Sequence, residues 1–338
     1  MPVTKKTVSL IVLNYNGVKH LKEYFTSVFN QTVVPDEVIM LDNLSTDGSS
    51  EYVEKYFPQV RIVRNTYNAG TAQGSNIAAS SAKGDYLIFQ SNDMRLDRHC
   101  IEELAKTINK EKEVGIVTSV LLNYSPDRKT GEHFIDNAGG IADVYGFGMQ
   151  NHPFISIKKI PNKEEVFFSY GGSFIIPRKL FNKIHGFDNR YFTLNDDIDL
   201  SWRVRLLGYK IIYTKKSIIY HKVSATLGTL FNRSIKRYWS ERNALRTILK
   251  NYDNISLVKR LPVYFLILFG EMGYFIYRRR FSLFMADLKA LLWNIVYLPE
   301  TILERIKIQK LKKRNNIEKI MIHSSLKLKL FGDFKKVI

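Results

Sequence analysis

From Val8 to Phe89 the chain alternates short apolar runs with amphipathic segments, joined by connections of only a few residues. Val8–Leu13 is a continuous apolar run of strand length that ends in the turn-forming Asn14-Tyr15-Asn16-Gly17. Leu21, Phe25, Val28 and Phe29 then recur at helical spacing and stop before Pro35. Val38–Leu41 reads as a second strand, Val53, Tyr56 and Phe57 as a short helix, and Val60–Val63 as a third strand. A Gly- and Ala-rich helix over 70–82 leads into a fourth strand, Tyr86–Phe89. Alternation with such tight links means βαβ units. The predicted fold is therefore α/β, a Rossmann-like, mostly parallel sheet with helices on both faces. Ligands of such sheets bind beyond the carboxyl ends of the strands. Three of those ends are polar: Asn14 to Gly17, Asp42 to Gly48, and Ser91-Asn92-Asp93. A site is predicted where they meet.

The middle of the chain, roughly 114–176, reads as strands and loops, with Gly139-Gly140 and Gly171-Gly172 marking tight turns or close approaches. A helix over 196–207 follows, with Ile198, Trp202 and Leu206 on one face, then two short strands, Ile211–Tyr213 and Ile218–His221. Beyond Ser224 the character changes, which divides the chain into an α/β domain over 1–230 and a basic helical region over 231–338. Residues 1–200 hold 22 Lys and Arg against 24 Asp and Glu; residues 201–338 hold 29 against 8, so the whole net charge of +19 comes from the last part. A basic region on a near-neutral body points to an anionic surface, lipid or nucleic acid. Two apolar stretches lie in it, 262–277 and 288–298, the first interrupted by Glu271 and followed by Arg278-Arg279-Arg280. They are short for spanning a bilayer and suit amphipathic helices lying in its interface, or else packed on the body or on a second subunit. Their aromatic residues sit inside apolar runs and are not interleaved with Lys and Arg, which favours lipid over nucleic acid.

Cys100 is the single cysteine, which excludes a disulfide framework and a cysteine-based zinc site; it reads as a small core residue in a reducing compartment. The short polar Met1–Thr7 lacks the features of a signal peptide, so the expected location is cytoplasmic, peripheral at the inner face of the membrane.

Several residues carry candidate chemistry. Asp42, at a strand end, can accept from a base N–H or a sugar hydroxyl, or can hold its own loop in an Asx-turn. Asp93 could hold a hard divalent cation against a diphosphate, or serve as a turn residue. Asp196-Asp197-Ile198-Asp199 places three acids at a helix start. The helix dipole favours one or two of them, but three neighbours repel, and one poised to take a proton is the alternative. His221 follows an apolar strand and reads either as a satisfied, partly buried side chain or as a ligand. The segment Gly70 to Asn76 lacks the Lys-Ser/Thr of a P-loop and the spacing of a dinucleotide fingerprint.

Taken in order, SLIVLNYNG (9–17), LDNLSTDGS (41–49), NAGTAQGSN (68–76), residues 84–93, and GGSFIIPRKLF, GFDNRYF, DDIDLSWRVRLLGYK and IIYH within 171–221 resemble glycosyltransferase family 2, in particular its rhamnosyltransferase-like members. The resemblance spans about residues 7–225. It implies a GT-A fold, a nucleotide-sugar donor, inversion at the anomeric carbon and a divalent metal, Mn2+ or Mg2+. It places Asn14, Asp42, Asn68, Gly70, Asn76, Asn92, Asp93, Gly172 and Asp196 at the nucleotide sugar, Asp93 and His221 at the metal, and Asp197 as general base. It also implies a glycan or lipid-linked acceptor, in cell-surface polysaccharide synthesis, with rhamnose as the sugar. Two positions depart from the family pattern: Ser91 stands for the first acid of the Asp-x-Asp motif, and Asp196 for the usual Glu. The competing reading is a non-catalytic or nucleic-acid-binding protein that uses the basic region.

Overall fold

The computed structural model describes residues 6–222, 232–314 and 317–322. The boundary expected between residues 230 and 231, most of Met1–Thr7, and the last sixteen positions lie outside the described residues.

Strand β1 (Val8–Asn14) is apolar on both faces, as a strand covered by helices on both sides must be. It is followed by α1 (Val18–Phe29), β2 (Glu37–Asp42), α2 (Ser49–Tyr56), β3 (Arg61–Arg64), α3 (Gly70–Ser81) and β4 (Tyr86–Ser91). These four strands lie parallel in the order β3-β2-β1-β4. Their register sets Asn14 beside Asp42 and Leu13 beside Ser91, so the polar strand ends share one edge.

The second half departs from simple alternation. After β5 (Met94–Leu96), α4 (Cys100–Lys110) and β6 (Val114–Asn123) come short strands β7 (Ile135–Asn137), β8 (Gly140–Ala142), β9 (Gly148–Gln150) and β10 (Lys163–Glu165). Strand β11 (Ser173–Pro177) then inserts antiparallel between β4 and β6. Helices α5 (Arg178–Lys183) and α6 (Asp196–Leu206) precede β12 (Lys210–His221), which runs parallel to β6. The two short strands expected at 211–213 and 218–221 are one, with a register shift between Thr214 and Ile218. Ser217, beside the shift, turns its hydroxyl inward to the Cys100 carbonyl at 3.0 Å. Cys100 is fully buried, as its core reading requires, and burial pushes its thiol up to about 11.

The remaining helices are α7 (Arg233–Asn251), α8 (Asn254–Tyr277), α9 (Phe281–Val296) and α10 (Leu298–Leu311). Leu245, Ile248 and Tyr252 pack in one core with Phe167, Phe168 and Trp202, so packing is continuous from the sheet domain into the helical region. Helix α7 also delivers charge into the body. Arg246 Nε lies 2.8 Å from Asp188 Oδ2, and Lys250 pairs with both Asp188 and Asp199. Asp199 is paired again by Arg203 at 2.8 Å. Buried charges persist only when paired in this way. The outer faces of α8–α10 are different: Leu266, Phe269, Tyr277, Ile295, Val296 and Leu303 are all more than half exposed. Among the described residues no single helix is long and apolar enough to cross a membrane; α9 and α10 together reach that composition but bend by 66°.

Candidate active site

The polar strand ends open on a cleft of about 500 Å³ whose wall includes Asn14, Asn68, Gly70, Asn92, Asp93, Gly172, Asp196, Asp197 and His221. Asn14 closes β1, donating to Ser45 Oγ (3.0 Å) and accepting from Asn92 Nδ2 (2.6 Å). Gly17 makes room for that bridge, since a Cβ there would stand 2.2 Å from Asn92 Nδ2. Ser91 also lies on the wall.

Two nominated residues sit elsewhere. The Asp42 carboxylate accepts from the Ser45 N–H (2.9 Å) and from the Ser50 hydroxyl, so it holds its own loop together. Its neighbour Asn43 is the one on the wall, donating to the Gly70 carbonyl at 3.0 Å. Asn76 is turned away: it donates to the Phe187 carbonyl (2.8 Å) and Asn189 Oδ1 (2.7 Å) and accepts from the Phe187 N–H (2.9 Å). Six residues along a helix from Gly70 is well over one turn, and that rotation points the amide at the 186–189 loop.

On the cleft wall, residues 192–195 form a tight loop ahead of α6. Leu194 and Asn195 adopt φ of 67° and 62°, a strained region for non-glycine residues. Three neighbours fix it. Asn243 of α7 donates to the carbonyls of Thr193 (2.9 Å) and Leu194 (2.7 Å), and Asn195 donates to the Gly146 carbonyl at 3.1 Å. From α3, the Thr71 N–H reaches the Phe192 carbonyl at 2.7 Å, and its hydroxyl donates to Asp196 Oδ2 at 2.7 Å. Gly70, at φ +71°, allows that approach; a Cβ there would meet the Phe192 carbonyl oxygen at 2.1 Å.

Asp196 is thus committed to Thr71, while Asp197 faces the cleft. Its oxygens accept from the N–H groups of Gly171 and Ile198, each at 2.8 Å. The Gly171-Gly172 loop gives the backbone its close approach, for a Cβ on Gly172 would overlap Met94 and Leu121. Asp197 keeps an edge open to the cleft and is crowded on its other sides. Burial, and after it the Asp196 carboxylate, push it up to about 7 against the two backbone donations. Burial also raises Asp196.

Asp93 and His221 stand on the same wall, brought together by the β5–β12 pairing that sets His221 opposite Met94. His221 Nε2 lies 3.7 Å from Asp93 Oδ2, and its Nδ1 is 2.8 Å from Asp136 Oδ2. Burial disfavours a charged ring, but Asp136 and Asp93 outweigh it and raise His221 to about 9. Asp136 was not foreseen; it lies on the three-residue strand β7, where no periodic pattern marks it, and Gln150 donates to its other oxygen at 3.1 Å. Asp93 Oδ1 is buried without a hydrogen-bond partner. Among the described residues no group of three or more His, Cys, Asp and Glu converges on one point. A cation held by Asp93 Oδ1 and His221 Nε2 would thus keep most of its positions for other oxygens, and the orphaned oxygen fits such a cation. The cleft therefore pairs a carboxylate able to take a proton near neutrality with a small cluster suited to a bound positive charge.

Comparison with known proteins follows the same lines. The family model for glycosyl transferase family 2 matches residues 9–185, just over half of the chain. The chain is 28% identical over 231 residues to the glycosyltransferase GlyG of Streptococcus pneumoniae serotype 4, covering 65% of this chain and 72% of that protein. It is 23% identical over 237 residues to the N-acetylglucosaminyl-diphospho-decaprenol L-rhamnosyltransferase of Mycobacterium tuberculosis, covering 64% and 76%. Among solved structures it resembles GalNAc-T7 with UDP, GalNAc and Mn2+, at a TM-score of 0.59 and 18% identity over 75% of this chain and 49% of that one. It also resembles the mannosyltransferase PcManGT of Pyrobaculum calidifontis with GDP-Man and Mn2+, at a TM-score of 0.51 and 16% identity over 92% and 87%. At these identities the structures speak for the fold.

Proposed function

The chain belongs to glycosyl transferase family 2 and has the GT-A fold, and we propose that it moves a hexose from a nucleotide-diphosphate donor to an acceptor hydroxyl with inversion. The observation that carries this reading is that Asp197, raised toward neutrality, and the Asp93–His221 pair line one cleft. Asp197 takes the proton of the acceptor hydroxyl as that oxygen attacks the anomeric carbon. Asp196 spends one oxygen on Thr71, which leaves Asp197 the better-placed base for a direct displacement. The Asn14–Asn92 bridge, Asn43, Asn68 and the start of α3 form the donor side. Asp93 and His221 would hold the divalent ion, with Asp136 fixing the ring, and the ion when bound supplies counter-charge to the leaving diphosphate.

Rhamnose and a lipid-linked acceptor are the substrates we favour, from the likeness to the mycobacterial rhamnosyltransferase, whose name specifies a diphospho-decaprenol acceptor. The exposed apolar faces of α8–α10, next to Arg278-Arg279-Arg280, support a peripheral position on an anionic membrane at its cytoplasmic side.

The direct test is a panel of nucleotide sugars with and without Mn2+ or Mg2+, scored by thermal shift and by slow donor hydrolysis. One donor is expected to stabilise the chain and to be turned over. A folded chain that binds and hydrolyses none of them would end the reading.

A further inference from the structure

Helix α7 carries one buried arginine that no carboxylate balances. Arg242 is 7% exposed, and among the described residues it enters no ion pair. Its Nε donates to Asn243 Oδ1 at 2.9 Å and Nη2 donates to the Arg190 carbonyl at 3.1 Å. A guanidinium has five N–H donors, so most of them are left without a protein acceptor. Its flat faces lie 4.7 Å from the Trp293 ring and 5.2 Å from the Tyr238 ring. Stacking holds the plane of the group in place without cancelling its charge.

Arg242 lines a pocket of about 250 Å³ together with Arg190, Asn68, Gln73, Asn189 and Trp293, and among the described residues no acid lies on its wall. Two of the amides are already oriented. Asn68 Oδ1 accepts from the Gly70 N–H (3.0 Å) and Asn189 Oδ1 from Asn76 Nδ2 (2.7 Å), which leaves their NH2 groups as the uncommitted ends. Of the two guanidinium groups on the wall, Arg190 is paired with Glu300 at 2.7 Å, and Arg242 pairs with no carboxylate among the described residues. Donors without acceptors, in an excess of positive charge, select a phosphoryl group.

The position narrows the source of that phosphoryl group. Asn68 and Phe192 belong both to this pocket and to the donor cleft, so the two are neighbours across one wall. On its other side Trp293 belongs to α9, which exposes Leu292 (53%), Ile295 (67%) and Val296 (71%). Polar cleft, phosphate pocket and apolar helix face thus follow one another. We propose that Arg242 and its pocket bind the phosphoryl group that joins the acceptor sugar to its lipid. This rests on the transferase reading with a lipid-linked acceptor. A bilayer headgroup offers the same phosphoryl chemistry, but nothing would require its site to share a wall with the cleft.

The test uses the full chain and farnesyl diphosphate as probe, followed through Trp293 fluorescence, with farnesol and phosphatidylglycerol vesicles as the other arms. Farnesyl diphosphate is expected to quench the emission, farnesol to bind far more weakly, and Trp293→Phe to lose the signal. Arg242→Gln should weaken binding by at least about tenfold, and Arg242→Lys by less, since it keeps the charge but not the fork. Asn189→Asp, on an exposed side chain that keeps its acceptor for Asn76, should also weaken it without threatening the fold. Unchanged affinity in folded Arg242→Gln and in Asn189→Asp would overturn the proposal. So would Arg242-dependent capture of phosphatidylglycerol vesicles without binding of farnesyl diphosphate. If the chain binds the probe through Arg242 but turns over no nucleotide sugar, the pocket stands and the transferase reading falls; turnover with Arg242-independent binding is the reverse.

Discussion

Replacing Asp197 by Asn separates its catalytic role from its structural one. As a general base it contributes ~10²–10⁴-fold, about 3–5 kcal/mol of barrier, so turnover should fall by that factor while donor binding persists. Stability should move the other way. The carboxyl rises from an ordinary 3.8 to about 7, which at about 1.4 kcal/mol per pKa unit sets a ceiling of roughly 4 kcal/mol. Its open edge on the cleft screens part of that, leaving about 2 kcal/mol. Asn cannot accept from both Gly171 and Ile198, and one unpaired N–H costs about 1 kcal/mol. The variant should thus be about 1 kcal/mol more stable at pH 8, a rise in Tm of about 2 °C. The pH dependence has a definite sign. Below about pH 4 folded and unfolded wild type are both protonated, so there is no charge penalty to remove and only the lost hydrogen bond remains. Between about 4 and 7 the unfolded chain ionises first, so the wild type loses stability relative to the variant, and above 7 the difference is constant. Differential scanning fluorimetry at pH 5 and pH 8, beside a donor-turnover assay, reads both effects. Wild-type turnover, or a Tm difference that does not grow between the two pH values, would refute the assignment. Wild-type activity itself should rise with pH through about 7.

Asn243→Ala removes two donors from the strained 192–195 loop inside a fully buried site; it should cost about 2–3 kcal/mol by urea denaturation and lower kcat more than it raises KM. Asp93→Asn should abolish the stabilisation that Mn2+ gives the wild type, about 3 kcal/mol at a hundredfold excess over Kd, measured as a thermal shift without donor. Leu266→Glu with Phe269→Glu, both on the exposed face of α8, should remove the chain from floated anionic vesicles and leave the melting temperature nearly unchanged.

The polar strand ends were legible in the sequence because a parallel strand covered on both sides is apolar along its whole length and must end abruptly. Asn14, Asn92 and Asp93 fall on the cleft for that reason, and register does the rest. Asn76 and Asp42 are not on the cleft wall, for local reasons that matching motifs ignores. Helix rotation carries the Asn76 amide past the cleft, and Ser45 and Ser50 claim the Asp42 carboxylate. The insertion of β11 was not legible, since SFIIP is as apolar as its parallel neighbours and carries no sign of direction. Asp136 was hidden because its partner His221 lies 85 residues away and the two meet only through β6, which pairs with β7 on one side and β12 on the other.

The basic excess of the C-terminal region divides into two populations with different physical roles. Arg237, Arg242, Arg246 and Lys250 are on the inward side of α7; three of them pair with Glu241, Glu271, Asp287, Asp188 or Asp199, and Arg242 pairs with no carboxylate among the described residues. Charges held this way cannot serve a membrane. The second population includes Arg278 and Arg279, exposed beside the apolar helix faces. Cutting the chain after α7 would therefore remove Thr301 and Glu300 from Arg246, and Arg305 from the carbonyls of Leu249 and Tyr252, as well as the outer faces. The loop that holds Asp197 is fixed by Asn243 on the same helix, so loss of activity in such a truncation would say nothing about lipid. Only substitutions confined to the outer faces of α8–α10 separate anchoring from catalysis.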